Sequence, residues 1–220
     1  MQTLKQIELE IMSKMADVVE KYKELPEDFG PIKYIRDIPL YVGKAYIRYN
    51  FLELDKSKDL KILDLCTGAG YFVYICNKQH VAFGMDWPEY FHNESFANLY
   101  QDLWKELGNT VYNHQIVPGE PLKINTKFDL ITSFYPCFNH DLINRRFWSI
   151  EEWELFTNYV MDKYLKPKGR LVLTLLARTE GATKEELFDL FINKYKAVYK
   201  SGIFVMEKRH VSKKRNRIVS

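Results

Sequence analysis

The residues best suited to chemistry lie close together in the run Asp64-Leu65-Cys66-Thr67-Gly68-Ala69-Gly70. Gly68 and Gly70 have no side chain, so the backbone can turn sharply there and a ligand can lie against it. A helix starting behind such a loop offers free N–H groups to a carboxylate or phosphate. Two ligand classes compete for a loop of this kind. A dinucleotide needs Gly-x-Gly-x-x-Gly, and the third position here is Val73. Asp64, just ahead of the loop, repels a pyrophosphate and attracts an ammonium. A ligand with both an amine and a carboxylate fits these residues better. Asp86 ends the next apolar run, in Gly84-Met85-Asp86-Trp87. Its two acceptor oxygens suit the two hydroxyls of a ribose, and Trp87 offers a face on which an adenine can stack. The alternative reading of Asp86 is a helix N-cap or turn residue.

These residues need elements to position them, and the apolar pattern supplies a set. Leu60 to Leu65 and Val81 to Met85 are short apolar runs of the kind that form buried parallel strands. Further strands are expected over residues 110–117, 128–134 and 170–177, with a terminal pair near 196–200 and 203–208 around the turn Ser201-Gly202. Helices are expected over residues 69–78 and 93–107. Two more open on the capping-box patterns Ser149-Ile150-Glu151-Glu152 and Thr183-Lys184-Glu185-Glu186. Lys166-Pro167-Lys168-Gly169 reads as a turn. Strands alternating with helices predict an α/β three-layer sandwich. Its sheet is seven-stranded and mostly parallel, with one antiparallel strand from the C-terminal hairpin and N-terminal helices added. The first of those helices places Leu4, Ile7, Ile11, Met15, Val18, Tyr22 and Leu25 on one stripe. That stripe packs either on its own domain or, as a coiled coil, in a homodimer. A second helix is expected over 39–54. The chain thus divides into a helical extension or cap (1–55), a main domain (56–210) and a basic tail (211–220).

The run Leu63 to Phe72 resembles the first motif of class I S-adenosylmethionine-dependent methyltransferases, an acidic residue followed by a Gly-x-Gly loop. Cys66 stands where many members carry an additional glycine. Phe128-Asp129-Leu130-Ile131-Thr132-Ser133 resembles the fourth motif of that family. Leu165-Lys166-Pro167-Lys168-Gly169-Arg170-Leu171 resembles its L-x-P-G-G-x-L segment, with Lys168 in place of the first glycine. The motifs run in order over residues 60–177, and the terminal hairpin matches the last two strands of the family. Residues 1–55 match no motif of the family. The resemblance implies S-adenosyl-L-methionine as cofactor. It places Asp64 near the amine, Gly68 and Gly70 under the methionine part, and Asp86 at the ribose with Trp87 beside it. Glu120, in Gly119-Glu120-Pro121, matches the acidic position near the adenine amine; a solvent-exposed carboxylate is the alternative. Cys66, Thr67, Ser133 and Phe134 complete the implied cofactor contacts.

The methyl acceptor is less legible. A methyl on a sulfonium is already activated, so alignment is the main requirement, and no metal is needed. The loop Ser133-Phe134-Tyr135-Pro136-Cys137-Phe138-Asn139-His140-Asp141 lacks the Asn/Asp-Pro-Pro-Tyr/Phe pattern of amino-methylating enzymes. His140 and Asp141 are the acid–base candidates, with a helix cap or solvent exposure as the alternative. Tyr135, Arg145 and Arg146 are candidates for the substrate. A small-molecule or sugar-like acceptor is expected first. The alternatives are RNA, held by the basic tail, and a partner protein that binds the cofactor without turnover.

Bulk properties agree with one globular domain. The 220 residues are 46% hydrophobic, and the net charge of +3 does not by itself imply nucleic acid or an anionic membrane. Cys66, Cys76 and Cys137 fit no zinc or disulfide framework. No apolar run approaches the roughly 20 residues of a membrane span, and no signal peptide is read. No membrane association and a cytoplasmic location are therefore expected.

Overall fold

The computed structural model describes residues 2–26, 29–88, 93–134, 138–141, 146–175 and 181–208, with the backbone alone at Asp141. The helices are α1 (Leu4–Lys14), α2 (Ala16–Tyr22), α3 (Lys33–Arg36), α4 (Ile38–Phe51), α5 (Tyr71–Cys76), α6 (Glu94–Leu107), α7 (Ile150–Tyr159) and α8 (Lys184–Phe188). The strands are β1 (Lys61–Leu65), β2 (Val81–Asp86), β3 (Val111–Asn113), β4 (Phe128–Phe134), β5 (His140–Asp141), β6 (Arg146–Phe147), β7 (Leu165–Thr174), β8 (Val198–Lys200) and β9 (Ile203–Glu207). Seven of them form one sheet in the order β3-β2-β1-β4-β7-β9-β8, while β5 and β6 make a separate two-stranded ribbon. Strand β9 runs antiparallel to both of its neighbours, and the remaining pairs in the sheet are parallel. The expected mixed sheet is therefore present.

Side chains alternate between two faces along each strand, and the two faces bury separate cores. Ile62, Leu130 and Val172 pack with α1, α2, α4, α5 and α6. Leu63, Ile131, Leu171 and Leu173 pack with α7 and α8. The amphipathic stripe of the N-terminus is spent on the first of these cores: Ile7, Ile11 and Met15 are fully buried, and Val18 and Tyr22 nearly so. The stripe packs within its own chain. It is also two helices rather than one, because Met15 leaves helical geometry at ψ −2° and separates α1 from α2. Helix α1 packs against α4, so this segment braces the helix that later forms one wall of the cleft.

Two local expectations are corrected, and one element was not expected. The third strand covers only Val111–Asn113, because His114 to Glu120 leave the sheet. Lys166 to Gly169 lie inside β7 rather than in a turn before it. The register against β4 shifts there, Lys168 has φ +64°, and Gly169 passes so close to the Lys166 and Phe128 carbonyls that a Cβ would sit 2.9 and 3.0 Å from them. The ribbon β5–β6 carries no strand pattern in the sequence, since each arm has only two residues. The terminal turn is as expected: Ser201 and Gly202 both have positive φ, as a two-residue hairpin requires. Among the described residues no helix is long and apolar enough to cross a membrane. The basic tail lies outside the described residues.

Candidate functional site

Strand β1 has β2 on one side and β4 on the other, so the direction of winding reverses beside it and a crevice opens at the carboxyl ends of these strands. A cavity of about 470 Å³ lies there. Its floor is the loop after β1, with Asp64, Cys66, Thr67, Gly68, Ala69 and Gly70. Asp86 from β2 and Phe134 from β4 add to it.

The loop is held by hydrogen bonds from around it. The Gly68 N–H donates to Asp86 Oδ2 at 2.7 Å, and Trp87 N–H donates to Asp86 Oδ1 at 2.8 Å. The Trp104 indole N–H donates to the Gly68 carbonyl at 2.7 Å, and the Asn109 side-chain amide to the Gly70 carbonyl at 2.9 Å. Gly70 has φ +81°, and a Cβ on it would stand 2.5 Å from Asn109 Nδ2. Cys66 also has positive φ, +55°. This is the position where the resembling family carries a glycine, and the chain keeps the glycine-like backbone there with a thiol attached. Lys168, the other departure, does the same.

Asp64 is 4% exposed. Burial pushes its carboxyl up to about 6, against the Thr132 hydroxyl that donates to it at 2.6 Å and the positive charge of Arg48. The Thr67 side chain, buried in the same wall, also acts on this carboxylate and favours its ionised form.

The opposite wall comes from the N-terminal helices. Tyr34 of α3 and Tyr41, Lys44, Ala45 and Arg48 of α4 line the cavity, with Lys33 at the start of α3. The Arg48 guanidinium lies over the Phe134 ring, 4.6 Å from its centre. A second, smaller cavity of about 30 Å³ adjoins the first at Cys66 and Asp86. Trp87, His114, Gln115, Ile116, Phe138 and His140 contribute to its lining.

Solved structures with this arrangement of strands include an amino pentose methyltransferase from Micromonospora echinaspora, involved in calicheamicin biosynthesis, with S-adenosylmethionine bound. It is 11% identical, with a TM-score of 0.55 over 76% of this chain and 91% of that one. Another is a magnesium protoporphyrin IX methyltransferase from Synechocystis, also with S-adenosylmethionine bound. It is 12% identical, with a TM-score of 0.51 over 93% of this chain and 97% of that one. The chain has the class I methyltransferase fold. No family model and no curated protein matches its sequence.

Within the class I methyltransferase fold, the sequence-derived candidates divide. Asp64, Cys66, Thr67, Gly68, Gly70, Asp86 and Phe134 line the large cavity. Trp87 and His140 line the small one. Ser133 is fully buried, its hydroxyl has no partner, and it lines neither. Glu120 also lines neither and is exposed. A turn closed by the Glu120 N–H on the Val117 carbonyl carries it away, and Gln115 and Ile116 hold the cavity side instead. Arg146 is exposed and donates to both carboxylate oxygens of Glu152, so its guanidinium is turned to the start of α7 rather than to a substrate. Tyr135, Arg145 and the Asp141 side chain lie outside the described residues.

The α4 wall is absent from the sequence-derived set. A signal for it exists: Tyr41, Lys44, Ala45 and Arg48 follow the i, i+3, i+4, i+7 spacing of one helical stripe. Only docking of α4 over the loop shows which way that stripe faces.

Proposed function

We propose that the chain is an S-adenosylmethionine-dependent methyltransferase acting on a small-molecule acceptor. One observation carries the reading: a buried carboxylate, Asp64, beside a loop of left-handed glycines that floors the large cavity. Ionising a buried carboxylate is costly, and the charge of Arg48 offsets only part of that cost, since burial remains the larger effect on Asp64. A ligand ammonium beside Asp64 would supply the rest. The two similar structures named above, both with S-adenosylmethionine bound, support the choice of ligand.

The residues present fit that group. Asp64 would hold the amine, kept in place by the Thr132 hydroxyl. Arg48, facing the same cavity from α4, would hold the carboxylate with the paired geometry a guanidinium favours. Each Asp86 oxygen already takes one backbone N–H and retains acceptor capacity for a ribose hydroxyl. Trp87, Gln115 and Ile116, in the cavity that adjoins Asp86, would receive the base. His140 lines that same cavity, and we read it as a contact on the nucleoside side, with the role of a base as the alternative. When bound, the cofactor supplies a methyl group already activated on a sulfonium. The chain's part is then to exclude water and align the acceptor. A cavity of about 470 Å³, walled by Tyr34, Tyr41, Phe96 and Tyr100, is the size of a small-ligand site.

Calorimetry with S-adenosylhomocysteine tests the reading. Binding by the wild type and its loss in Gly68→Arg are the expected results; binding of NAD in its place would overturn the assignment.

A further inference from the structure

The cavity wall that carries no family motif also carries a distinctive charge pattern. Lys33, Lys44 and Arg48 all line the cavity from α3 and α4. The Lys33 ammonium sits 5.2 Å from the Tyr34 ring centre, and the Lys44 ammonium 4.8 Å from that of Tyr41. The two tyrosine rings touch edge to face at 4.8 Å. Two lysines and two tyrosines therefore form one cluster on the rim. Both lysines are exposed at the cavity rim, and each ammonium lies over its ring.

The cluster stands next to the glycine loop. A Cβ added at Gly68 would meet the Tyr34 hydroxyl at 3.3 Å. The Tyr71 hydroxyl donates to the Tyr34 carbonyl at 2.7 Å, which ties α3 to the first turn of α5. Among the described residues neither Lys33 nor Lys44 makes an ion pair.

Charge accounting then points to the missing ligand. On the reading above, the cofactor ammonium faces Asp64 and the cofactor carboxylate faces Arg48. That leaves Lys33, Lys44 and the sulfonium as positive charges in the cleft. Asp86 is the other carboxylate in its lining, and two backbone N–H groups already draw on it. A neutral acceptor leaves the two exposed lysines to solvent, an anionic one pairs with them, and a cationic one adds to the excess.

We infer that the methyl acceptor is a small molecule bearing a carboxylate or phosphate, held at its anionic end by Lys33 and Lys44 and along its body by Tyr34 and Tyr41. The inference rests on the cofactor reading for its charge count, but the cluster itself does not.

The test uses four probes of similar size on protein saturated with S-adenosylhomocysteine, followed by ligand-observed NMR: benzoate, phenyl phosphate, benzyl alcohol and benzylamine. The two anions are expected to bind at least roughly tenfold more tightly than the alcohol and the amine, and the tighter of the two identifies the anionic group. Lys33→Ala/Lys44→Ala should remove that preference while S-adenosylhomocysteine still binds. Lys33→Arg/Lys44→Arg should restore most of it. Equal binding of alcohol and anion, or an anion preference that survives the alanine pair, overturns the inference. If S-adenosylhomocysteine fails to bind at all, the cofactor reading falls. The same four probes on the free protein then still decide whether the lysine pair selects anions.

Discussion

The Thr132 hydroxyl donates to Asp64 Oδ1 at 2.6 Å, between residues that face each other in the register of β4 and β1. This bond orients a carboxylate whose burial has raised its proton affinity. The chain keeps near the carboxyl end of an interior strand a group that disfavours the folded state and is suited to a cationic ligand.

Asp64→Asn should therefore stabilise the free protein. The folded carboxyl is raised to about 6 from an ordinary value of 3.8, so the folded state binds its proton more tightly than the unfolded chain does. Asp64 costs nothing well below its ordinary value of 3.8, and the penalty grows as pH rises from there to about 6. Urea melts should show a gain on the order of 3 kcal/mol at pH 8 and almost none below about pH 3. The same substitution should abolish S-adenosylhomocysteine binding. In the wild type that affinity should fall as pH drops below about 6, where Asp64 takes up its proton.

Gly70→Ala places a Cβ 2.5 Å from Asn109 Nδ2 on a backbone at φ +81°. The left-handed residue costs about 1 kcal/mol, and displacing the Asn109–Gly70 hydrogen bond costs about another. A loss of about 2 kcal/mol is expected in chemical denaturation. Asn109→Ala should blunt the effect in a double-mutant cycle.

Cys66 and Lys168 hold φ of +55° and +64° without being glycine. Cys66→Gly and Lys168→Gly should each stabilise by roughly 0.5–1 kcal/mol, since relief of strain exceeds the added freedom of the unfolded chain. Lys168 lies far from the cavity lining, so only the Cys66 change should also alter cofactor affinity. Paired melts and calorimetry separate the two.

How much of this was legible in sequence depends on the distance over which each feature is determined. Strand β4 and the loop after β1 are local, and the apolar run and the glycines mark them directly. The same holds for the capping boxes at Ser149 and Thr183, which close as hydrogen-bonded caps. The bulge at Lys168–Gly169 looks like a turn because a glycine beside a left-handed residue has the same local signature in both settings. Only pairing with β4 distinguishes them. The shortening of β3 and the departure of Glu120 follow from where the chain leaves the sheet edge, which no residue in that segment announces. The lysine and tyrosine face of α4 was beyond reach because its orientation is fixed by packing of α1 and α5 against the opposite face.

Ile11 is fully buried where α1 meets α4. Ile11→Ala should cost about 3 kcal/mol through the cavity it leaves. Because α4 carries Arg48, the substitution should also weaken S-adenosylhomocysteine binding, measurable by calorimetry well below the melting temperature.

His140 stacks on Phe147 at 4.8 Å and lines the small cavity with Trp87 and Gln115. His140→Ala should raise the KM for S-adenosylmethionine by more than it lowers kcat. A loss confined to kcat, with a changed pH profile, would instead make His140 a base.

Strand β9 occupies an interior place in the sheet, between β7 and β8, although it comes last in sequence among the described strands. Until Ile203–Glu207 emerge from the ribosome, β7 offers a bare row of backbone donors and acceptors, and Phe204 and Met206 are missing from the core they complete. A nascent chain in that state is an open template for strand addition by its neighbours. Products stalled or truncated before Ile203 should therefore be the species that chaperones capture, since β7 then lacks its antiparallel neighbour.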